Sequence, residues 1–378
     1  VSDPVFLPEL PGVLSAAQVQ QTVAAIAAEQ LPDGALPWSR AEQLDPWDSI
    51  EAAMALDVGG EHDRAAAAYG WLAAQQRPDG SWAAEYRAGR PIAPAAESNH
   101  AGYLAVGVWH HWLSTGDQGL VVRLWPVVRR ALDLVSAMQL ATGAVSWALR
   151  PDGSPDDTAL LAGNASLYQA LRCGIALADL CGEPQPAWDL AAEDLRTALC
   201  SRPEAFADRS RYSMDWYYPV LAGAVTGPAA GERLAAGWDT FVVPGLGVRC
   251  VADRPWVTGA ETCELALALT AVGQPDAATE QVAAMQHLRA EDGSYWTGLV
   301  FADDARWPVE RTTWTAAAVV LAADAIAGAG PAAALFADPA ALLRPAGLPE
   351  RTRAADRGGD CALPHPPGSV DPASRRAG

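Results

Sequence analysis

The 378-residue sequence predicts an all-α fold: an (α/α)6 toroid, or barrel, of six helical hairpins, with six apolar helices as an inner ring and six amphipathic helices as an outer ring. Three observations predict it. One loop pattern recurs in phase along the chain, helices of two kinds alternate, and an acidic residue stands at the entry to every helix of the apolar kind.

The recurring loops are EQLPDGALPW at 29–38, QRPDGSW at 76–82, MQLATGAVSW at 138–147 and AEDGSYW at 290–296. Each ends one helix at a Pro or Gly, makes a tight turn, and carries an aromatic that can pack back on the array. One such turn is ordinary helix-ending chemistry. Four in phase imply a repeated helical hairpin. In chain order the helical periodicity gives an amphipathic segment at 16–30, an apolar one at 46–56, then amphipathic 62–76 and apolar 98–113. Amphipathic 119–139, apolar 159–180, amphipathic 188–200 and apolar 214–225 follow. The series closes with amphipathic 229–241, apolar 258–272, amphipathic 275–288 and apolar 311–326. A helix apolar nearly all round must be enclosed, and a one-sided helix can cover it from solvent. Closure gives the repeat its purpose, since no hairpin buries its apolar faces alone. Residues 1–15 are then an N-terminal arm, 16–328 the toroid, and 329–378 a Pro-, Ala- and Gly-rich tail expected to be disordered.

The acids at the apolar-helix entries are Asp48, Glu97, Asp157, Asp215, Glu261 and Glu310, spaced by 46 to 60 residues. In a closed ring these entries converge on one mouth. Acids at helix N-termini also serve as caps, but Ser, Thr or Asn would cap equally well, and the aromatics beside them have no capping role. Trp38, Trp47, Trp147, Trp216 with Tyr217 and Tyr218, Trp256, Trp296, Trp307 and Trp314 accompany the acids. Carboxylates among indoles describe a pocket that stacks a ligand and moves protons on it. Asn99 and His100, in the first turn of the second apolar helix, lie within reach of such a ligand. His110 and His111 lie a helix length away and belong to the core or the base of the lumen, and Arg172 with Cys173 to the middle of theirs.

Composition excludes several classes. The net charge is −19 with no basic stripe, which disfavours nucleic acid and anionic membrane. No apolar run reaches the length of a membrane span, and VSDPVFLPEL lacks the pattern of a signal peptide, so a cytoplasmic location is expected. The six cysteines lack metal or disulfide-framework spacing, so reduced thiols, no metal and no cofactor are expected. Fifteen tryptophans against five phenylalanines point to a site that stacks ligands.

Residues 98–139, with a TGD turn leading into WPVVRRAL, resemble the second hairpin of six-hairpin glycosidases. Residues 46–82 look like their first hairpin, in which an aromatic and an Asp contact sugar, here Trp47 and Asp48. The resemblance implies glycan chemistry by carboxylates on the mouth loops. A second resemblance is to squalene-hopene cyclases and related prenyltransferase-fold proteins. Gln76, Gly80 and Trp82 are similar to their QW motif, and SPDDTALL at 154–161 to their DxDDTA motif, with Ser154 in place of its first Asp. That likeness implies Asp156 as a proton donor. A prenyltransferase zinc site would have only Glu261, Cys263 and His287 to draw on, a poor set.

The leading function is therefore a carbohydrate-active, glycoside hydrolase-like enzyme acting on an oligosaccharide or another small molecule. A terpenoid cyclase or prenyltransferase-like enzyme taking an isoprenoid is the alternative, and a non-catalytic glycan-binding toroid the second. Glycosidase chemistry needs a protonated and an ionised carboxyl about 5 to 10 Å apart. Facing loops of a sixfold ring pair Asp156 or Asp157 with Glu310, the preferred set, and Glu97 with Glu261. The expected sugar-holding residues are Trp47, Asp48, Asn99, His100, Asp215, Trp216, Tyr217, Trp256, Trp296 and Trp314.

Overall fold

The structure, a computed structural model, describes residues 6–39, 42–150 and 152–339. In chain order its first helices are α1 (Ala16–Glu29), α2 (Pro46–Val58), α3 (His62–Gln75), α4 (Ser98–Thr115), α5 (Gln118–Ala137) and α6 (Leu161–Leu180). They are followed by α7 (Pro186–Ser201), α8 (Ser213–Leu221), α9 (Gly227–Phe241), α10 (Gly259–Ala271), α11 (Pro275–Ala284) and α12 (Thr313–Ala327). All twelve predicted segments are helical. The ends follow from local chemistry. Ser15 and Gln18 close a capping box on α1, Pro46 and the Asp45 cap start α2, and Asp117 accepts from Leu120 N at 3.0 Å to start α5.

Each apolar helix packs on the next, α2 on α4, α4 on α6, α6 on α8, α8 on α10 and α10 on α12, and α12 packs back on α2. The amphipathic helices lie against this cycle: α3 on α2 and α4, α5 on α4 and α6, α7 on α6, α9 on α8, α11 on α10 and α12, and α1 on α12. Every residue of α2 is buried, whereas α5 buries mainly the Leu120, Leu124, Val128, Leu132 and Val135 face. Small residues allow close approach. A Cβ at Gly102 would lie 2.5 Å from Leu167 Cδ2, and one at Gly107 would lie 2.6 Å from Ile50 Cγ2.

The repeated turns are cross-braces. Gln76 Nε2 donates to Gly80 O at 3.1 Å and to Val127 O of α5 at 2.9 Å. Gln30 donates likewise to Gly34 O and to Arg64 O of α3, and Gln139 to Gly143 O and to Ala191 O of α7. Each glutamine thus closes its own turn and ties it to the next amphipathic helix. The glycine is required: Gly80 has φ +94°, and a Cβ there would sit 2.4 Å from Arg130 O.

Three features differ from the sequence reading. Short strands occur: β1 (Glu85–Arg87) pairs with β2 (Arg90–Ala93), and β3 (Ala96–Glu97) with β4 (Ala148–Leu149). An antiparallel sheet joins β5 (Val242–Val243), β6 (Gly247–Arg249), β7 (Trp256–Thr258), β8 (Gly298–Val300) and β9 (Ala305–Arg306). Strands of two to four residues are too short to show period-two alternation. The segment from 329, expected to be disordered, is ordered as far as 339, where α13 (Ala334–Ala337) buries Leu335 and Phe336 against α10 and α12. Residues 340–378 lie outside the described ones. Cys200 is disulfide-bonded, contrary to the expectation of reduced thiols, while Cys173, Cys181, Cys250 and Cys263 are free. No helix among the described residues is long and apolar enough to cross a membrane.

Candidate active site

The N-terminal ends of α2, α4, α6 and α8 meet around a cavity of about 350 Å³. The segment before α2 shapes one wall. Asp45 caps α2 by accepting from Asp48 N at 2.9 Å, and its other oxygen accepts from Trp38 Nε1 at 2.8 Å. That fixes the Trp38 ring against the cavity and turns Trp47 and Asp48 inward. Trp47 stacks on Tyr103 of α4 with ring centres 4.3 Å apart and donates to Glu51 at 3.0 Å. Asp48 is 8% exposed. Burial, then the neighbouring Asp45, Glu51 and Glu264 carboxyls, holds its pKa well above the usual carboxylate range, so its proton-bearing form is favoured.

The β3–β4 pairing builds the next wall. Ser98 N donates to Trp147 O at 2.9 Å, which holds the Trp147 loop beside the first turn of α4. Glu97, Asn99 and His100 line the cavity there, with His100 Nε2 3.8 Å from Glu97 Oε2. Asn164 of α6 clamps Val145 through both its backbone groups. Opposite, Asp215 accepts from Ala162 N at 3.1 Å, and burial raises its pKa despite Arg209 and Arg233. Trp314 of α12 completes the set of four indoles. Leu160, Ala162 and Met214 add apolar surface.

Glu261, in the first turn of α10, is 5% exposed. It hydrogen-bonds the thiol of Cys250, a cavity-lining residue whose pKa is pushed up by burial and by that carboxylate. One turn deeper, α2 and α10 carry a second acid each. Glu51 accepts from Trp47 and from Tyr103 OH at 2.9 Å, and burial pushes its pKa up to about 7. Glu264 accepts from Tyr217 OH and is likewise raised by burial. Sequence reasoning missed Glu51, Glu264, Asp45, Met214 and Cys250. For the two glutamates a signal existed, since Asp48–Glu51 and Glu261–Glu264 share an i, i+3 spacing that stacks two acids on one helix face.

Of the residues expected at the site, Trp47, Asp48, Glu97, Asn99, His100, Asp215 and Trp314 share the cavity. Others lie elsewhere. Asp156 accepts from Thr158 N at 2.8 Å in an Asx turn, and the hydrogen bonds from Thr158 hold its pKa below the usual value, the reverse of what a proton donor requires. Asp157 is exposed and pairs with Arg150 at 2.6 Å. Glu310 and Trp296 line a separate groove beside α1. Trp216 turns away from the mouth to stack on Phe241, Tyr217 lies below the cavity, and Trp256 packs on Trp307 at the outer sheet. Helix-entry position alone does not decide which way a ring points. His110 and His111 are buried by Asp57 at the far end of α2, with His111 Nδ1 2.9 Å from Asp57 Oδ1. No cluster that could hold a metal ion occurs among the described residues.

No protein-family model matches the sequence. Over 330 residues, 87% of this chain and 92% of the relative, the protein is 54% identical to an MMP endo-(1,4)-3-O-methyl-alpha-D-mannosidase of Mycolicibacterium hassiacum. Its fold is similar to a solved glycosidase at TM-score 0.67 and 15% identity, covering 83% of this chain and 96% of that one. It is also similar to a rhamnosidase from Klebsiella oxytoca with rhamnose bound (TM-score 0.62, 18% identity, 84% of this chain and 64% of that one). A third similar fold is the GH63 mannosylglycerate hydrolase from Thermus thermophilus (TM-score 0.60, 14% identity, 80% of this chain and 99% of that one). Acids on several sides of the cavity accord with glycan chemistry, where a terpene cyclase would keep one acid among aromatics. With more than half of the aligned residues identical across most of both sequences, the chain belongs to the family of that endo-mannosidase and is a glycoside hydrolase-like enzyme.

Proposed function

We propose that the protein cleaves internal linkages of a (1,4)-linked chain of 3-O-methyl-α-D-mannose, in an (α/α)6 toroid whose inner ring is the closed cycle of six apolar helices. What supports this is the 54% identity to an endo-(1,4)-3-O-methyl-α-D-mannosidase, together with a cavity walled by four indoles in which burial raises the pKa of Asp48. Asp48 gives its proton to the leaving glycosidic oxygen as the anomeric C–O bond breaks, and water supplies the hydroxyl that the anomeric carbon gains and the proton that restores Asp48. Glu261, at the positive end of the α10 dipole, is the second carboxylate of the pair that glycoside cleavage requires. Trp38, Trp47, Trp147 and Trp314 stack sugar rings, and Glu97, Asn99, His100 and Asp215 bond their hydroxyls. The apolar patch of Leu160, Ala162 and Met214 suits an O-methyl group, whose burial is worth about 0.8 kcal/mol. An unmethylated hydroxyl would meet no partner on that patch. The test is digestion of a 3-O-methylated (1,4)-α-mannan beside its unmethylated counterpart. Fragments of several units released several-fold faster from the methylated chain support the proposal. Equal cleavage of both, or release of single end sugars only, refutes it.

A further inference from the structure

Beside the cavity lies a groove of about 580 Å³, between α1 and the segments that lead into α12. One layer of chain separates the two. Thr313 N donates to Trp38 O at 2.9 Å and Thr313 Oγ1 to Pro37 O at 2.8 Å; Trp38 and Trp314 line the cavity, while their neighbours Ser39 and Thr313 line the groove. On the α1 side, Ala24, Ala25 and Ala28 leave the groove open. The opposite side is polar and held in place. Arg311 Nη1 donates to Asp292 Oδ2 and to Ser294 Oγ, both at 2.8 Å, and its guanidinium lies 5.3 Å from the centre of the Trp296 ring. Its Nε and Nη2 donors meet no acceptor among the described residues. Val309 on the rim is 80% exposed and Trp307, two residues before it, 53%, so apolar surface is held in water beside the groove. Among the described lining residues the carboxyls of Glu29, Glu42, Asp292 and Glu310 face one cation, Arg311, a balance that repels phosphates and other anions.

We propose that this groove is a distal subsite, which holds a further stretch of the same uncharged glycan chain whose cleaved bond lies in the cavity. The proposal rests on the reading of the substrate as a (1,4)-linked chain cut at internal linkages. At about 350 Å³ the cavity is near the lower end of small-ligand sites, which run from about 300 to 1,000 Å³, so it takes only a short stretch of sugars. A chain cut internally continues past it, and the groove begins on the other side of the Trp38 and Trp314 wall. The lining suits a neutral sugar. Arg311 offers Nε and Nη2 to hydroxyl oxygens, Asp292 and Glu310 accept from hydroxyls, and Val309 presents apolar surface to a C–H face or an O-methyl group. Because Asp292 and Trp296 already hold the guanidinium, little side-chain freedom is lost on binding. No group of the groove reaches the reacting atoms, so it binds ground and transition states alike and acts on KM rather than on kcat.

Two variants of the full chain test it. Arg311→Ala removes the donors and Ala24→Trp fills the groove with an indole, and neither residue lines the cavity. On a long methylated chain each should lower kcat/KM about five- to tenfold through KM, the loss of about one hydrogen bond. On short methylated oligomers that the cavity alone accommodates, both variants should stay within about twofold of wild type. Unchanged kcat/KM on the long chain overturns the subsite. So do equal losses on short and long chains, which would make the groove a mere support for the wall it shares with the cavity. Thermal melting is the control, and should Arg311→Ala melt early, Ala24→Trp, which breaks no hydrogen bond, decides alone. A wild type that cleaves no methylated chain sinks the functional reading, and the subsite is then judged by calorimetry with the uncleaved chain. A Kd weakened about five- to tenfold in the variants supports it; an unchanged Kd, or no binding by wild type, overturns it.

Discussion

Replacing Asp48 by Asn separates proton donation from every structural role of that position. In the folded protein Asp48 is buried, and desolvation and three neighbouring carboxyls raise its pKa well above the usual carboxylate range, which favours the neutral form. The amide has nearly the same shape and is also neutral, and the α2 cap is made by Asp45 rather than by the Asp48 side chain. Exchange of one neutral polar group for another should change stability by no more than about 1 kcal/mol. What is lost is the transferable proton. General acid catalysis contributes about 10²- to 10⁴-fold, so at about 1.4 kcal/mol per tenfold the barrier should rise by about 3 to 5 kcal/mol. The sign with pH follows from the direction of the shift. With Asp48 as the proposed donor, wild-type activity should fall as pH rises through its raised pKa, because only the protonated carboxyl donates, and the residual activity of the variant should lack that limb. The assay is kcat on the methylated chain between pH 4 and 9, with thermal melting as the control. A variant that melts like wild type and keeps more than about a tenth of its kcat refutes Asp48 as the donor.

The buried acids should also write themselves into stability. Glu51 keeps its proton up to about pH 7 in the folded chain but loses it near 4.5 when unfolded, so folding stability should fall as pH rises through that window, by up to about 3 kcal/mol. Glu51→Gln should flatten that slope in urea titrations at stepped pH, and an unchanged slope would place the pH dependence elsewhere. Gln76→Ala deletes both cross-brace bonds and should cost about 1 to 3 kcal/mol, while Gly80→Ala should cost at least as much through its φ and the clash with Arg130 O. Wild-type midpoints in both would contradict the bracing role. Asp156→Asn and Asp157→Asn should retain kcat within about twofold, since the amide still accepts from Thr158 N and neither residue reaches the cavity; a hundredfold loss would return the donor to that turn.

The sequence by itself determined the twelve helices and the way they sort into two kinds, because the 3.6-residue period of apolar positions is a local property that survives without the tertiary structure. It also marked Gln76 and Gly80, although the partner that completes the brace, Val127, lies 51 residues away and only the packing of α5 reveals it. Asp48, Glu97, Asp215 and Trp314 were legible as candidates because each stands at the entry to an apolar helix. Trp216 and Asp156 stand at the same kind of position and are turned aside, the first onto Phe241 and the second into an Asx turn with Thr158. Periodicity says which helix face is buried but nothing about the path of the loop that enters it, and the cavity is made by those paths. The deeper acids were hidden for a different reason. Glu51 and Glu264 sit in stretches that look apolar on average, and their meaning arises only when α2, α8 and α10 close on one another and take them out of water, where desolvation, a tertiary effect, decides which carboxyl keeps its proton.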